Sequence, residues 1–129
     1  MKILGVGVDL VNNKRVQLLI KNKNFLKRTF GPNELKFSKK KMNKTNYFAK
    51  RFAAKEALSK SIGTGLRDGL YFKNIEILND KMGKPYFYKS RKLDQFVKKK
   101  FKIKKYDLFL SLSDEKDHSI AFTVSIKRS

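Results

Sequence analysis

The chain has 129 residues, 32 of them Lys or Arg against 11 Asp or Glu, for a net charge of +21. It contains no cysteine, which removes disulfides, thiolate catalysis and zinc–sulfur sites from consideration. The length suits one domain over residues 1–129 with a single core. The charge points to an anionic partner, nucleic acid first and an acidic protein second, although solvated surface lysines would give the same excess.

In chain order, "MKILGVGVDL" opens with one lysine and a short apolar run that Asp9 cuts off. That run is too short for the core of a secretory leader, and no later run approaches the roughly 20 apolar residues of a membrane span. A soluble, cytoplasmic chain with no membrane association is expected. Residues 2–10 read as a strand, with Ile3, Gly5, Gly7 and Asp9 on one face and Leu4, Val6, Val8 and Leu10 on the other. Helical spacing follows in Val16, Leu19, Ile20 and Phe25, with Asn12 or Asn13 as cap. "GPNELKF" (31–37) is a break and a helix start, Pro32 in its first turn and Glu34 near its positive end.

The longest helix is predicted over 45–62, with Gly63 as the residue that ends it. Residues 71–78, "YFKNIEIL", alternate like a strand; "NDKMGKP" is a turn, and "YFY" starts a returning strand. Residues 90–104 read as a helix with a lysine-coated outer side. "YDLFLSLS" and "SIAFTVSI" are two strands joined by the polar turn "DEKDH". The order β-α-α-α-β-β-α-β-β implies an α+β domain, a mainly antiparallel sheet packed with helices. Neither GxGxxG nor GxxxxGK[ST] occurs, so a dinucleotide or P-loop nucleotide fold is not indicated.

Asp9 ends the first strand beside two glycines, where a helix or a ligand can approach the backbone closely; alone, it reads first as a cap for the helix that follows. In "YFAKRFAAKEALSKSIGTG" (47–65), residues 48, 52 and 56 share a helical side, which sets Glu56 at the edge of the core. Lys60, four residues on, is its ordinary ion-pair partner. Taken with Asp9, Glu56 admits another reading, because two carboxylates completed by substrate phosphates and water are a usual way to hold Mg²⁺. Arg51, Lys55 and Ser59 form a second row, and cations beside a metal suit pyrophosphate chemistry. The "GTG" at 63–65 follows a helix C-terminus, where the dipole repels phosphate. His118 has no partner pattern for a triad. The competing class is a basic nucleic-acid-binding module built on "RKLDQFVKKKFKIKK".

Three separated blocks, "GVGVDLV", "RFAAKEALSKSIGTG" and "LSLSDEKDHSIAFTV", with "NDKMGKPYF" between the last two, resemble the holo-[acyl-carrier-protein] synthase family, the small trimeric branch of the 4′-phosphopantetheinyl transferases. The resemblance spans nearly the whole chain. It implies transfer of phosphopantetheine from coenzyme A to a serine of apo acyl carrier protein, in the service of fatty acid biosynthesis, with release of adenosine 3′,5′-bisphosphate. It further implies Mg²⁺ on Asp9 and Glu56, and Lys55 assisting at the pyrophosphate or leaving group. Arg51, Lys60, Gly63 and Thr64 match positions near coenzyme A; Gly83, Lys84 and Pro85 match a loop near its adenosine portion. Arg15 matches a basic position that meets the acidic carrier. A homotrimer with sites between subunits follows from the family, as does the absence of nucleic acid among its partners. Two residues depart from the family pattern: Asn12 stands where relatives commonly have glutamate, and Asp114 where they often have histidine.

Overall fold

The computed structural model describes residues 1–63 and 69–129. The elements run β1 (Lys2–Asn12), α1 (Asn13–Leu19), α2 (Lys23–Thr29), α3 (Pro32–Ser38), α4 (Lys44–Ile62), a 3₁₀ turn (Phe72–Asn74), β2 (Ile77–Asn79), β3 (Pro85–Phe87), α5 (Arg91–Phe101), β4 (Tyr106–Asp114) and β5 (His118–Lys127). Strands β1, β5 and β4 form an antiparallel sheet in that order, and β2 and β3 form an antiparallel pair. The α+β architecture is the one expected from sequence.

Helix α4 lies across β1 and β5, and the sequence makes this approach close. The inner rows of the sheet pair Gly5 with Ser125, Gly7 with Thr123 and Asp9 with Ala121. Against them α4 sets Ala53, Ala54, Ala57 and Ser61, all buried. A Cβ added at Gly7 would sit 1.9 Å from the Ala57 carbonyl oxygen, and one at Gly5 would sit 1.7 Å from that of Ser61. The two glycines are therefore there for helix-to-strand contact, with backbone resting on backbone. Ser61 and Ser125 hydroxyls meet at 2.9 Å beneath the helix.

Beyond α4, aromatic side chains fill the wider space between the helices. Phe25, Phe30, Phe48 and Phe52 pack at ring-centroid distances of 4.6 to 6.1 Å, mostly tilted or edge-on as their quadrupoles favour. Helix α4 starts at Asn43, whose side chain accepts from the Asn46 N–H, and stops at Gly63 in the left-handed conformation (φ 87°). That conformation favours glycine.

Three details differ from the sequence reading. The first helical stretch is divided: Asn22 accepts from the backbone N–H groups of Asn24 and Phe25 and starts α2 as a separate helix. Residues 71–76 do not extend as strand. Asn74 closes a 3₁₀ turn by accepting from the Tyr71 N–H, and the carbonyls of Phe72 and Ile75 bond the Lys55 ammonium rather than a neighbouring strand. The β1 register shifts between Ile3 and Gly5, which takes Ile3 off the glycine row and leaves it exposed.

The outer face of the three-stranded sheet carries Val6, Val8 and Leu10 beside Ile120 and Phe122. Val8 is 50% exposed, Leu10 62% and Phe122 45%. No helix of the described residues is long and apolar enough to cross a membrane.

Candidate active site

The end of β1 and the middle of α4 meet where the glycine contact holds them together. Asp9 follows Gly7 by two residues on the inner row, and Glu56 precedes Ala57, the residue that touches Gly7. Lys60 Nζ donates to Asp9 Oδ1 at 2.9 Å and to the Val8 carbonyl at 3.0 Å. The expected Glu56–Lys60 pair is thus replaced by a Lys60–Asp9 pair, because β1 offers two acceptors at once. Among the described residues no side-chain hydrogen bond or ion pair forms to Glu56. Partial burial raises its pKa, the nearby Asp9 charge raises it further, and Lys60 and Arg15 oppose the rise.

Glu56, whose charge the neighbouring Asp9 disfavours and which has no side-chain partner among the described residues, forms with Asp9 a donor set suited to a hard divalent cation. No third His, Cys, Asp or Glu joins them among the described residues. Asn12, where a glutamate is common in the resembling family, uses its side-chain oxygen to cap α1 by accepting from the Arg15 N–H at 3.2 Å. Arg15 itself lies on the exposed side of α1, within electrostatic reach of Glu56.

The row Arg51, Lys55, Ser59 does not face this site; all three are buried. Lys55 is completely enclosed, and its ammonium donates to Glu34 Oε1 at 2.6 Å, to the Phe72 carbonyl at 3.0 Å and to the Ile75 carbonyl. All three of its donors are taken, so the expectation that Lys55 serves the leaving group is corrected. Burial lowers the Lys55 pKa and raises that of Glu34. Glu34 also accepts from the Gly31 and Ile77 N–H groups, each at 3.0 Å. Glu76, also buried, accepts from the backbone of Asn33 and Glu34. The network pins α4 to α3 and β2 and so fixes the helix's rotation.

Arg51 is only 5% exposed. Its guanidinium stacks 3.8 Å above the Tyr47 ring and donates to the Tyr47 carbonyl and to Asn79 Oδ1. Gly83 takes φ 86° in the β2–β3 turn with Lys84 and Pro85 beside it, and Asp80 holds that turn by accepting from Met82 and Lys84 N–H groups. A Cβ at Gly63 would meet nothing within 4 Å among the described residues; Thr64 lies outside the described residues. Asp114 accepts from the Asn46 side chain and lies 3.8 Å from Lys50 Nζ, tying β4 to the start of α4. His118 pairs with Glu115 at 2.9 Å on the surface.

Residues 5–123 match the model of the ACPS family, the 4′-phosphopantetheinyl transferase superfamily. A holo-[acyl-carrier-protein] synthase of Pelagibacter ubique is 52% identical over 99% of this chain and 100% of its own length. This chain is a member of the holo-[acyl-carrier-protein] synthase family. The holo-[acyl-carrier-protein] synthase structure from Neisseria meningitidis has a TM-score of 0.85 at 40% identity, covering 97% of this chain and 99% of the other. That from Bacillus anthracis, in complex with CoA (3′,5′-ADP), has a TM-score of 0.78 at 31% identity over 97% of each chain. Membership in the synthase family accounts for the Asp9 and Glu56 blocks together, which a basic nucleic-acid module does not.

Proposed function

We propose that the chain moves the 4′-phosphopantetheine arm of coenzyme A onto a serine of apo acyl carrier protein, in the cytoplasm and in the service of fatty acid biosynthesis. The observation that carries this reading is the meeting of Asp9, Glu56 and Lys60 at the glycine-packed junction of β1 and α4. Mg²⁺ held by Asp9 and Glu56 would polarise the phosphoryl group and offset its charge. The serine hydroxyl gives up its proton to water and forms a new O–P bond to the phosphorus that bears pantetheine. The bond from that phosphorus to the bridging oxygen breaks, and adenosine 3′,5′-bisphosphate leaves with the electron pair.

Lys60 steadies Asp9 in its working orientation and places positive charge beside the departing bisphosphate. Its side chain is 55% exposed, so it can meet a ligand, as Lys55 cannot. The turn of Gly83, Lys84 and Pro85 serves the adenosine portion. Arg15, on the surface beside Glu56, meets the acidic carrier, and the net charge of +21 draws that carrier in.

The bare outer sheet face supports the homotrimer, with sites between subunits, since a contiguous exposed apolar patch of this kind usually marks an interface. Phe122→Asp should then reduce the mass in light scattering and the transfer rate together. The direct test mixes the chain with apo-carrier, coenzyme A and Mg²⁺ and weighs the carrier. A carrier that gains one phosphopantetheine supports the reading; one that gains nothing refutes it.

A further inference from the structure

The β2–β3 hairpin has a defect at its turn end. Asn79 is opposite Pro85, and proline has no N–H to give the ladder. The side chain of Asn79 makes up the loss on one side by donating from Nδ2 to the Gly83 carbonyl at 2.9 Å. On the other side its Oδ1 accepts from Arg51 Nη2. Asn79 is therefore the link in a chain of contacts running from the Tyr47 ring through Arg51 to the turn.

Arg51 is poorly supplied apart from this link. It is buried, its Nε has no hydrogen-bond partner among the described residues, and its other contacts are the Tyr47 ring and carbonyl. A cation enclosed this far stays in place only where its neighbours hold it. One N–H of each Nη group is engaged within the chain, and the guanidinium reaches the turn through Asn79.

We infer that Asn79 is a positioning residue for the adenosine end of the donor, setting the backbone of the Gly83, Lys84 and Pro85 turn from the buried Arg51. This rests on the proposed function, which gives that turn its ligand. The Asn79 amide is well suited to the task, because one group must donate to a carbonyl and accept from a cation, and only a carboxamide does both in a single fixed plane.

The test compares two donors, coenzyme A and a pantetheine diphosphate ester with a small alkyl group in place of adenosine. Wild-type protein must transfer from coenzyme A for the comparison to be read; failure there refutes the proposed function itself. Asn79→Ala should lower kcat/KM for coenzyme A about three- to tenfold, the factor a single hydrogen bond carries, through a raised KM. It should leave kcat/KM for the truncated donor unchanged. Asn79→Asp keeps the acceptor for Arg51 and loses the donor to Gly83, so it should remain folded and show the same difference between donors. An equal loss on both donors, or no loss on either, overturns the inference; if the alanine variant does not fold, the aspartate variant decides.

Discussion

Replacing Gly7 by alanine tests whether the site is set by backbone contact. The new methyl carbon would lie 1.9 Å from the Ala57 oxygen, about 1.5 Å inside the 3.4 Å at which ordinary contact begins. The obstacle is a helical carbonyl, which cannot rotate away, so α4 must lift or slide by an amount of that order. Overpacking of this kind costs about 1–3 kcal/mol, which for a domain of this size means a melting point several degrees lower. The displacement falls between Asp9 and Glu56, and a misplacement of about 1 Å at a reacting centre can cost about 100-fold in rate. Lys60 should also lose its double hold on Asp9 and the Val8 carbonyl. The assay is carrier phosphopantetheinylation at saturating coenzyme A and Mg²⁺, beside a thermal melt. Gly69→Ala serves as the control, since that glycine is required by its φ and not by crowding among the described residues. It should lower stability modestly and leave transfer far less affected. A Gly7→Ala protein with wild-type melting and turnover would refute the reasoning.

Glu56→Gln should lower transfer by about 100-fold or more, the usual cost of removing an electrostatic stabiliser of this kind. It should also stabilise the metal-free protein at neutral pH. The folded-state pKa of Glu56 is raised, so its contribution is fully present below the unfolded carboxylate pKa and is lost as pH rises through the folded one. Urea melts at about pH 4 and pH 7.5 should show the variant gaining on wild type only at the higher pH; an equal difference at both pH values counts against it. Lys55→Met strands the Glu34 carboxylate in the core and should cost about 3–5 kcal/mol. Adding Glu34→Gln, which removes the buried charge and keeps one acceptor oxygen for either the Gly31 or the Ile77 N–H, should recover part of that loss in urea titration, and absence of any coupling would contradict the network. Arg15→Glu should raise the carrier KM, most at low salt, and leave coenzyme A saturation nearly unchanged; an unaltered carrier KM removes α1 from the docking surface.

The nearness of Asp9 and Glu56 is legible in the sequence because each occupies a position of readable local geometry, a strand end beside glycines and the edge of an apolar helical row. It misplaces Lys55 for a geometric reason. Adjacent residues on an α-helix point about 100° apart, so a lysine next to Glu56 in the chain faces away from it in space. The Arg51, Lys55 and Ser59 row is a real helical face, but which way a row of mixed polar residues turns depends on distant partners. Glu34, 21 positions from Lys55, reads in the sequence only as a first-turn acid. Asn79 reads as a turn residue, and nothing local reveals that both ends of its amide are engaged. The division between α1 and α2 was available in Asn22, a strong capping residue inside an apolar periodicity that runs past it. The bulge that exposes Ile3 was not, since strand parity carries no mark of an extra residue.

The register that sets Lys2 opposite Lys127 has a consequence for how the molecule comes into being. Strand β1 has no neighbour in its sheet until β5 has been synthesised, and the central place in that sheet belongs to β5. While the polypeptide is still growing, Val6, Val8 and Leu10 wait without a partner strand, the condition that invites misassembly in nascent chains. Acquisition of the native sheet is therefore expected only after β5 clears the ribosome, at a rate limited by closing the long loop between β1 and β5.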